Sequence, residues 1–153
     1  MKKGIIGVAG EYFVAAELSQ MGIVATLTLK NTPSVDILAT NLDSGEFANI
    51  QVKTMSPENN SGWRLSEKDE RESTIKNYYY ILANLKGSGN IPEYYIFPQD
   101  ILAKLLYNDH RNWLAGKPTR KDNPMRVFDP YVNKKHEIFG ERYRNNWNIL
   151  GLL

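Results

Sequence analysis

Asp36, Gln51 and Lys53 are the residues whose types and spacing are best suited to chemistry in this chain. Gln51 and Lys53 stand two apart in an apolar run, so on a strand their side chains point to the same face. Asp36 begins another apolar run, and the Asn, Asp and Gly between the two runs are typical of a hairpin turn. A hairpin in register brings a carboxylate, an amide oxygen and an ammonium together. Such a set can bind a cation through oxygen and stabilise developing negative charge through nitrogen.

A further acid, Glu11, falls in the helix predicted over residues 4–21, which Gly22 ends. On a 3.6-residue wheel Glu11 lies in the middle of an apolar stripe. The other members of that stripe are Gly7, Val14, Ala15 and Leu18. A carboxylate in an apolar face is costly unless it is hydrogen-bonded, paired or bound to a metal. Glu11 therefore joins the candidate site, or else it binds a backbone N–H or Lys53 for architectural reasons.

The tripeptides Ser-Val-Asp, ending at Asp36, and Gln-Val-Lys, ending at Lys53, resemble the bipartite motif of the PD-(D/E)XK nuclease superfamily. That superfamily, which includes many restriction enzymes, places an Asp at the start of one strand and an acid-x-Lys on the next. Val35 stands at the position of the motif's proline, and Gln51 replaces its second acid, which removes one negative charge. Residues 10–18 also resemble the first helix of the superfamily, whose Glu reaches the active site.

This resemblance implies a metal-dependent nuclease with Mg²⁺ or Mn²⁺ as cofactor and DNA, or alternatively RNA, as substrate. Asp36 would be the principal metal ligand, and Gln51 and the backbone carbonyl of Val52 would offer further oxygens. Lys53 would orient or help deprotonate the attacking water and offset charge in the transition state. Glu11 would bind the metal directly or through water. The alternative is a nuclease-like fold without turnover that serves as a nucleic-acid-binding or protein-interaction module, because Gln51 lowers the charge of the site.

The composition is that of an ordinary globular chain, with 153 residues, 42% hydrophobic and 24% charged. Cysteine is absent, which excludes disulfides and thiolate zinc sites and agrees with a reducing cytoplasm. No apolar run approaches the roughly 20 residues that a membrane span needs, and the N-terminus lacks a signal-peptide pattern. Phosphate loops, dinucleotide-binding glycine motifs and nucleophile elbows are also missing. We therefore expect one cytoplasmic domain over residues 1–153.

Positive charge is concentrated in the C-terminal third of the chain. Residues 1–100 contain nine Lys or Arg and twelve Asp or Glu, whereas residues 101–153 contain ten and five. A basic segment of this kind can form a phosphate-binding face, and a solvated surface without a partner is the alternative. The predicted nucleic-acid contacts are Arg64, Lys68, Lys117, Arg120 and Lys121.

The spacing of apolar residues predicts an α/β fold of the restriction-endonuclease-like type, with a mixed sheet flanked by helices. Besides the first helix, helices are predicted at 99–107 and through Trp113, and strands at 23–29, 35–42, 47–53, 78–85 and 93–97, with a short extended piece at 63–65. The superfamily resemblance covers about residues 4–100. Residues 108–153 are a basic, aromatic extension, expected to dock on the core or on a second copy in a homodimer.

Several residues outside the candidate site carry structural expectations. Ser66 and Asp69 resemble a helix N-cap, and the charged segment at 67–72 is predicted to be a solvated turn or helix. His110 and His136 are expected at the surface, since neither has a second histidine at ligand spacing. Trp63 is equally compatible with packing and with contact to a nucleic-acid strand. The tyrosines at 78–80, 94 and 95 are assigned to the core and the sheet surface.

Overall fold

The computed structural model describes residues 2–29, 32–59 and 61–153, so the predicted domain 1–153 is described except at Met1, Lys30, Asn31 and Asn60. In chain order the elements are α1 (Lys3–Gln20), β1 (Val24–Leu27), β2 (Ile37–Thr40), β3 (Phe47–Met55), β4 (Trp63–Ser66), β5 (Tyr78–Asn84), β6 (Glu93–Pro98), α2 (Gln99–Ala115), β7 (Met125–Phe128), α3 (Lys134–Glu141) and a 3₁₀ turn (Trp147–Leu150). Among the described residues, no helix combines the length and apolar character required to cross a lipid bilayer.

The described strands form a five-stranded sheet in the order β1-β2-β3-β5-β6 and a two-stranded sheet of β4 and β7. Neighbours in the larger sheet are antiparallel except β3 and β5, which are parallel. A parallel pair requires a long crossover connection, and the chain between β3 and β5 supplies it, including β4. The predicted α/β fold, a restriction-endonuclease-like mixed sheet flanked by helices, is confirmed.

Helix α1 covers one face of the larger sheet. Val14 and Leu18 pack there against the aliphatic side chains of the central strands, and each fully buried Leu or Val contributes about 1.5–3 kcal/mol. Gly22, at φ +80°, lets the chain reverse into β1. Leu150 and Leu152, from the end of the chain, complete this part of the core. The C-terminal extension therefore packs on the same core as the first helix.

The other face of the larger sheet is covered by α2 and by the β4–β7 pair. Leu102 and Leu106 of α2 pack with the sheet aromatics Tyr80 and Phe97, and Phe128 of β7 is also buried there. Helix α2 is one continuous helix, so the prediction of two helices, at 99–107 and through Trp113, was wrong. Pairing of β7 with β4 joins the C-terminal extension to the segment that follows the predicted hairpin.

The structure decides the open question about Trp63, and it contradicts the predicted exposure of two histidines. Trp63 is 2% exposed and donates through Nε1 to the Ala83 carbonyl at 3.3 Å, so it is a packing residue. His110 and His136 are 7% and 1% exposed rather than at the surface. Each ring has a hydrogen-bond partner that offsets the cost of burying a polar group. Nε2 of His110 lies 2.7 Å from Asp122, and Nδ1 of His136 accepts the Asp129 N–H at 3.0 Å.

The charged segment after Ser66 was predicted to be a solvated turn or helix, and four of its six residues at 67–72 are indeed exposed. It forms a turn without a helix, in which Asp69 is 6% exposed. The next residue, Glu70, accepts from Nε and Nη2 of the buried Arg126 at 2.5 and 3.1 Å. Two acids of this segment are thus turned inward, because each has cationic and polar partners there.

Candidate functional site

The β2–β3 hairpin places the candidate residues, and its turn chemistry fixes the register. Asn41 Oδ1 accepts the backbone N–H groups of Asp43 and Ser44 at 2.9 and 3.3 Å, and Gly45 adopts φ +75°. The antiparallel ladder ends at Ile37 opposite Ile50, with a last bond from the Asp36 N–H to the Ile50 carbonyl at 2.8 Å. Beyond Ile50, β3 continues to Met55, and among the described strands β5 is its hydrogen-bonded neighbour there. One edge of β3 is therefore open from residue 51 onward.

The carboxylate of Asp36 occupies the place where the ladder stops. Its Oδ2 accepts the Val52 N–H at 2.7 Å and a hydrogen bond from the Gln51 side-chain amide. In an extended strand the N–H and C=O of one residue leave the same edge, so the Val52 carbonyl also points toward this edge. Burial raises the pKa of Asp36 above its ordinary value, and the Val52 N–H, Lys53 and Gln51 offset this only in part. Binding a cation would relieve that cost.

Lys53 lies on the same face of β3 as Gln51 and beside two carboxylates. Its ammonium is 3.5 Å from Asp69 Oδ1 and 5.9 Å from the centre of the Tyr80 ring. It also acts on Asp36 electrostatically, since it lowers the pKa of that carboxyl. The structure thus brings Asp36, Gln51 and Lys53 together, as the hairpin argument expected. The Lys53 side chain is 35% exposed, which leaves the ammonium accessible to a substrate.

Asp69 and Tyr80 belong to this site, and the sequence argument missed both. Tyr80 was assigned to the core, where its ring indeed lies, but its hydroxyl donates to Asp69 Oδ1 at 2.8 Å. The Ser66-x-x-Asp69 spacing was the available signal. Asp69 does accept the Ser66 N–H and hydroxyl at 2.7 and 2.9 Å, as in an N-cap, although no helix follows.

Glu11 lies on α1, which packs on the face of the sheet opposite to Gln51 and Lys53. The buried residues of α1 are Ile6, Gly10, Val14 and Leu18. Glu11 is next to this stripe and partly exposed, so its placement in the middle of the apolar face was wrong. It is one helical turn after Gly7, a residue that lines the cleft described below. Its role as a ligand stays a prediction.

An open cleft of about 660 Å³ lies at the free edge of β3. Lys53 and Thr54, whose side chains point to opposite faces of β3, form part of the cleft wall. Residues near the N-terminus of α1 also line the cleft, so it extends from one face of the sheet to the other. Among the described residues, three cations and one acid line it, namely Lys3, Lys53, Arg64 and Glu58. A cleft with this balance of charge is suited to an anionic ligand.

The side-chain oxygens of Asp36 and Gln51 fit a hard divalent cation that keeps most of its water. Mg²⁺ is commonly held by one or two protein carboxylates together with water and substrate phosphates. Both described hydrogen bonds to the Asp36 carboxylate fall on Oδ2, which leaves Oδ1 for such a cation within the described surroundings. Across residues 2–29, 32–59 and 61–153, no three His, Asp or Glu side chains are grouped so as to hold a metal ion. The donor set therefore fits weak binding through few protein ligands.

The predicted nucleic-acid contacts fall on three separate elements. Arg64 is exposed on β4 and lines the cleft, and Lys68 is exposed in the turn after β4. Lys117 and Lys121 are exposed in the loop after α2. Arg120 is exposed too, but it donates to the Trp113 carbonyl, and its guanidinium lies 4.8 Å from the centre of that indole ring. Of these residues, Arg64 is the one that the structure places beside Lys53.

Comparison with known proteins gives a structural match. Neither protein-family models nor curated proteins match the sequence. Among solved structures, the chain is similar to I-Ssp6803I, a bacterial homing endonuclease, with a TM-score of 0.59. The alignment covers 98% of this chain and 93% of that one, at 14% sequence identity. At this identity the likeness establishes a common fold over nearly the whole of both chains.

Proposed function

We propose that the chain is a metal-dependent nuclease of the PD-(D/E)XK type that hydrolyses phosphodiester bonds in DNA. The observation that carries the proposal is that Asp36, Gln51 and Lys53 lie together where β3 extends past the end of β2, and that Lys53 also lines a cleft with other cations. Similarity of the fold to that of a homing endonuclease supports nuclease chemistry. Asp36 directly precedes β2, and Gln51 and Lys53 lie on β3, which is the placement that the superfamily resemblance implies.

Asp36 and Gln51 would hold Mg²⁺ or Mn²⁺, with the Val52 carbonyl as a further oxygen and Glu11 as a ligand direct or through water. When bound, such an ion polarises a phosphoryl oxygen and lowers the pKa of a coordinated water. The protein orients its main ligand in advance, because the Val52 N–H and the Gln51 amide fix one oxygen of the Asp36 carboxylate. A ligand held in place this way loses little freedom when the ion and substrate arrive.

Lys53 would supply positive charge where negative charge develops on the phosphate. Its ammonium is about one third exposed and borders the cleft, so a phosphate can approach it without rearrangement of the sheet. An ammonium in that position stabilises the transition state more than the ground state, since the equatorial oxygens gain charge as the water attacks. It can also orient the attacking water through its N–H groups.

The cleft gives the substrate an approach to Lys53. Arg64 and Lys3 lie along its wall, and each can contact a backbone phosphate next to the one that reacts. Contacts of this kind position a strand without specifying its sequence. The exposed Lys117 and Lys121 of the loop after α2, with Lys68, would add charge along a longer stretch of DNA.

A nuclease-like fold without turnover is the second candidate. Two observations favour it: Gln51 is neutral where the motif has an acid, and the described residues contain no grouping of three acidic or histidine ligands. Such a module would use the same cleft to bind nucleic acid or would present its surface to a protein. Turnover in the presence of a divalent metal distinguishes the two candidates.

The test is cleavage of plasmid, single-stranded and branched DNA with Mg²⁺ or Mn²⁺ by the wild type, by Lys53→Ala and by Lys86→Ala. Lys86 is a matched control because it is 41% exposed and paired with Glu93 at 3.9 Å. We expect Lys53→Ala to lose roughly 10² to 10³ in rate while it still binds metal and DNA. Lys86→Ala should cleave like the wild type. Undiminished turnover by Lys53→Ala would assign the activity to another site, and a wild type inactive on every substrate would favour the second candidate.

A further inference from the structure

Asp69 is a buried carboxylate with a partner on every side. Its Oδ2 accepts the Ser66 N–H at 2.7 Å and the Ser66 hydroxyl at 2.9 Å. Its Oδ1 accepts the Tyr80 hydroxyl at 2.8 Å and lies 3.5 Å from the Lys53 ammonium. With 6% exposure, the group has no open direction toward water that would let it rotate. Both oxygens are thus fixed by groups of the protein itself.

This environment makes Asp69 an anion that cannot serve as a metal ligand. Burial opposes ionisation, yet Lys53 and the hydrogen bonds from Ser66 and Tyr80 outweigh it, so the pKa of Asp69 lies below its ordinary value. Burial and the neighbouring Asp69 raise the pKa of Tyr80, so the tyrosine hydroxyl stays protonated and donates. Each carboxylate oxygen already has two partners, which is about its full acceptor capacity. Among the described residues, Lys53 is the cation with which Asp69 forms an ion pair.

Lys53 needs such an anchor because its side chain is long and partly exposed. A lysine ammonium on four rotatable carbons occupies many positions unless a partner selects one. Here the partner is rigid, since Asp69 is buried and tied to the backbone of Ser66. Asp36 accepts a hydrogen bond from Gln51, whose side chain shares this face of β3 with Lys53. The ammonium is therefore held by Asp69 on the face of β3 that also carries Gln51, at the edge of the cleft.

We propose that Asp69 is a positioning residue that holds the Lys53 ammonium beside Asp36, facing the phosphate that is to be cleaved. The catalytic consequence of this inference rests on the proposed nuclease function. That Asp69 holds the Lys53 ammonium rests on the contacts of Asp69 described above. It assigns Asp69 a part in transition-state stabilisation that acts through Lys53. A purely structural role, in which Asp69 only closes the Ser66 turn, is the competing explanation.

Two variants separate these explanations. Asp69→Asn keeps an oxygen for the Ser66 donors and removes the charge that attracts Lys53. Ser66→Ala removes the hydroxyl bond that closes the turn and leaves the Asp69–Lys53 pair in place. If positioning is the role, Asp69→Asn lowers kcat by roughly 10- to 10²-fold, while KM and DNA affinity stay near the wild-type values. Ser66→Ala then retains most of the activity. Equal losses in the two variants, or a change of Asp69→Asn in KM alone, would overturn the proposal.

A second measurement does not depend on cleavage. The rate of amine acylation at Lys53, followed by mass spectrometry, reports how firmly its ammonium is held, and Lys86 is the internal reference. In the wild type Lys53 should react several-fold more slowly than Lys86, although their side chains are similarly exposed, at 35% and 41%. In Asp69→Asn the two rates should converge.

The two measurements fail separately. A wild type that cleaves no DNA removes the nuclease proposal, and the acylation rates still decide whether Asp69 holds Lys53. Equal acylation of Lys53 and Lys86 in the folded wild type removes the holding itself, whatever the cleavage assay shows. Because that comparison uses the unmodified protein, it remains decisive even if Asp69→Asn does not fold.

Discussion

The contact between α1 and β3 leaves no room for a side chain at Gly10, and one methyl group tests it. A Cβ at Gly10 would lie 2.8 Å from Cγ2 and 2.9 Å from Cβ of Thr54, and closer still to its Oγ1. Rotation of Thr54 cannot relieve the clash completely, because its Cβ is fixed to the strand. Alanine at Gly10 must therefore displace α1 from β3. We take about 3 kcal/mol for this overpacking and subtract about 1 kcal/mol for better helix propensity, which leaves about 2 kcal/mol of destabilisation.

Gly7 provides the matched control, one turn earlier on the same helix. A Cβ there meets nothing within 4 Å, so Gly7→Ala gains the helix propensity of about 1 kcal/mol without a clash. For a chain of this length the expected shifts in Tm are roughly −4 to −8 °C for Gly10→Ala and +2 to +4 °C for Gly7→Ala. Thermal and urea unfolding followed by circular dichroism measures both.

The double variant Gly10→Ala with Thr54→Ala gives an internal check of the geometry. Truncation of Thr54 removes Oγ1 and Cγ2 but leaves its Cβ at 2.9 Å, so the double variant should recover much of the stability without reaching that of the wild type. Contacting residues couple in this way, whereas independent sites add. If Gly10→Ala is as stable as Gly7→Ala, α1 does not approach β3 at Thr54. The position of α1 over the cleft would then have to be abandoned.

Two further predictions concern buried charge. Glu70→Gln should cost about 3 kcal/mol because it leaves the buried guanidinium of Arg126 without its carboxylate, whereas Glu72→Gln, in an exposed pair with Lys104, should change stability by less than about 1 kcal/mol. Hydrogen bonding by Arg126 lowers the pKa of Glu70, so its contribution is complete above the unfolded carboxyl pKa of about 4.3 and is lost as pH falls through the lower folded value. Urea unfolding between pH 7 and pH 3 should therefore show an acid-side loss in the wild type that is smaller in Glu70→Gln, and identical profiles would refute the pairing. Burial raises the pKa of Asp36, so its charged form is less favourable in the folded chain. Asp36→Asn should therefore raise the free energy of unfolding at neutral pH without metal, and it should abolish Mn²⁺ binding in calorimetric titration; retained binding would remove Asp36 from the metal role.

The hairpin and the meeting of its polar residues could be predicted because both depend on neighbours in sequence. Turn residues from Asn41 to Gly45 fix the connection, and alternation along the strands fixes which side chains share a face. Asp36 and Gln51 are 15 residues apart, and one register sets their hydrogen bond. The strands at 78–85 and 93–97 were equally clear from their β-branched and aromatic residues.

The inward orientation of two acidic side chains, Asp69 and Glu70, could not be predicted, because their partners are distant in sequence. Asp69 and Glu70 stand in a run of charges, which locally indicates a solvated segment. The Glu70 side chain turns inward because it binds Arg126, which lies 56 residues later in the sequence. Pairing of β7 with β4 brings Arg126 to Glu70. For Asp69 it is Lys53, which lies on β3. Tertiary pairing of charges outweighs local composition at both positions.

Helix α1 shows a second limit of sequence patterns. A helical wheel ranks faces by apolar character and so placed Glu11 at the centre of the buried side. The structure centres the contact on Gly10, because the absence of a side chain allows the closest approach to Thr54. Two backbones can approach most closely where one residue has a small side chain or none. A hydrophobicity scale does not score that property. The resulting rotation moves Glu11 to the edge of the interface.

Asp36 serves the fold and the site with the same carboxylate, which determines how its role can be tested. Where β2 ends, the Val52 N–H would lack an acceptor in a buried position, and Asp36 Oδ2 provides one. Alanine at Asp36 would remove the metal ligand and also leave this donor unsatisfied, at a cost of about 1–3 kcal/mol. Asparagine retains an oxygen for the Val52 N–H and removes only the charge. Loss of metal binding in Asp36→Asn, with the fold intact, is therefore attributable to the carboxylate, whereas the same loss in Asp36→Ala would confound the two.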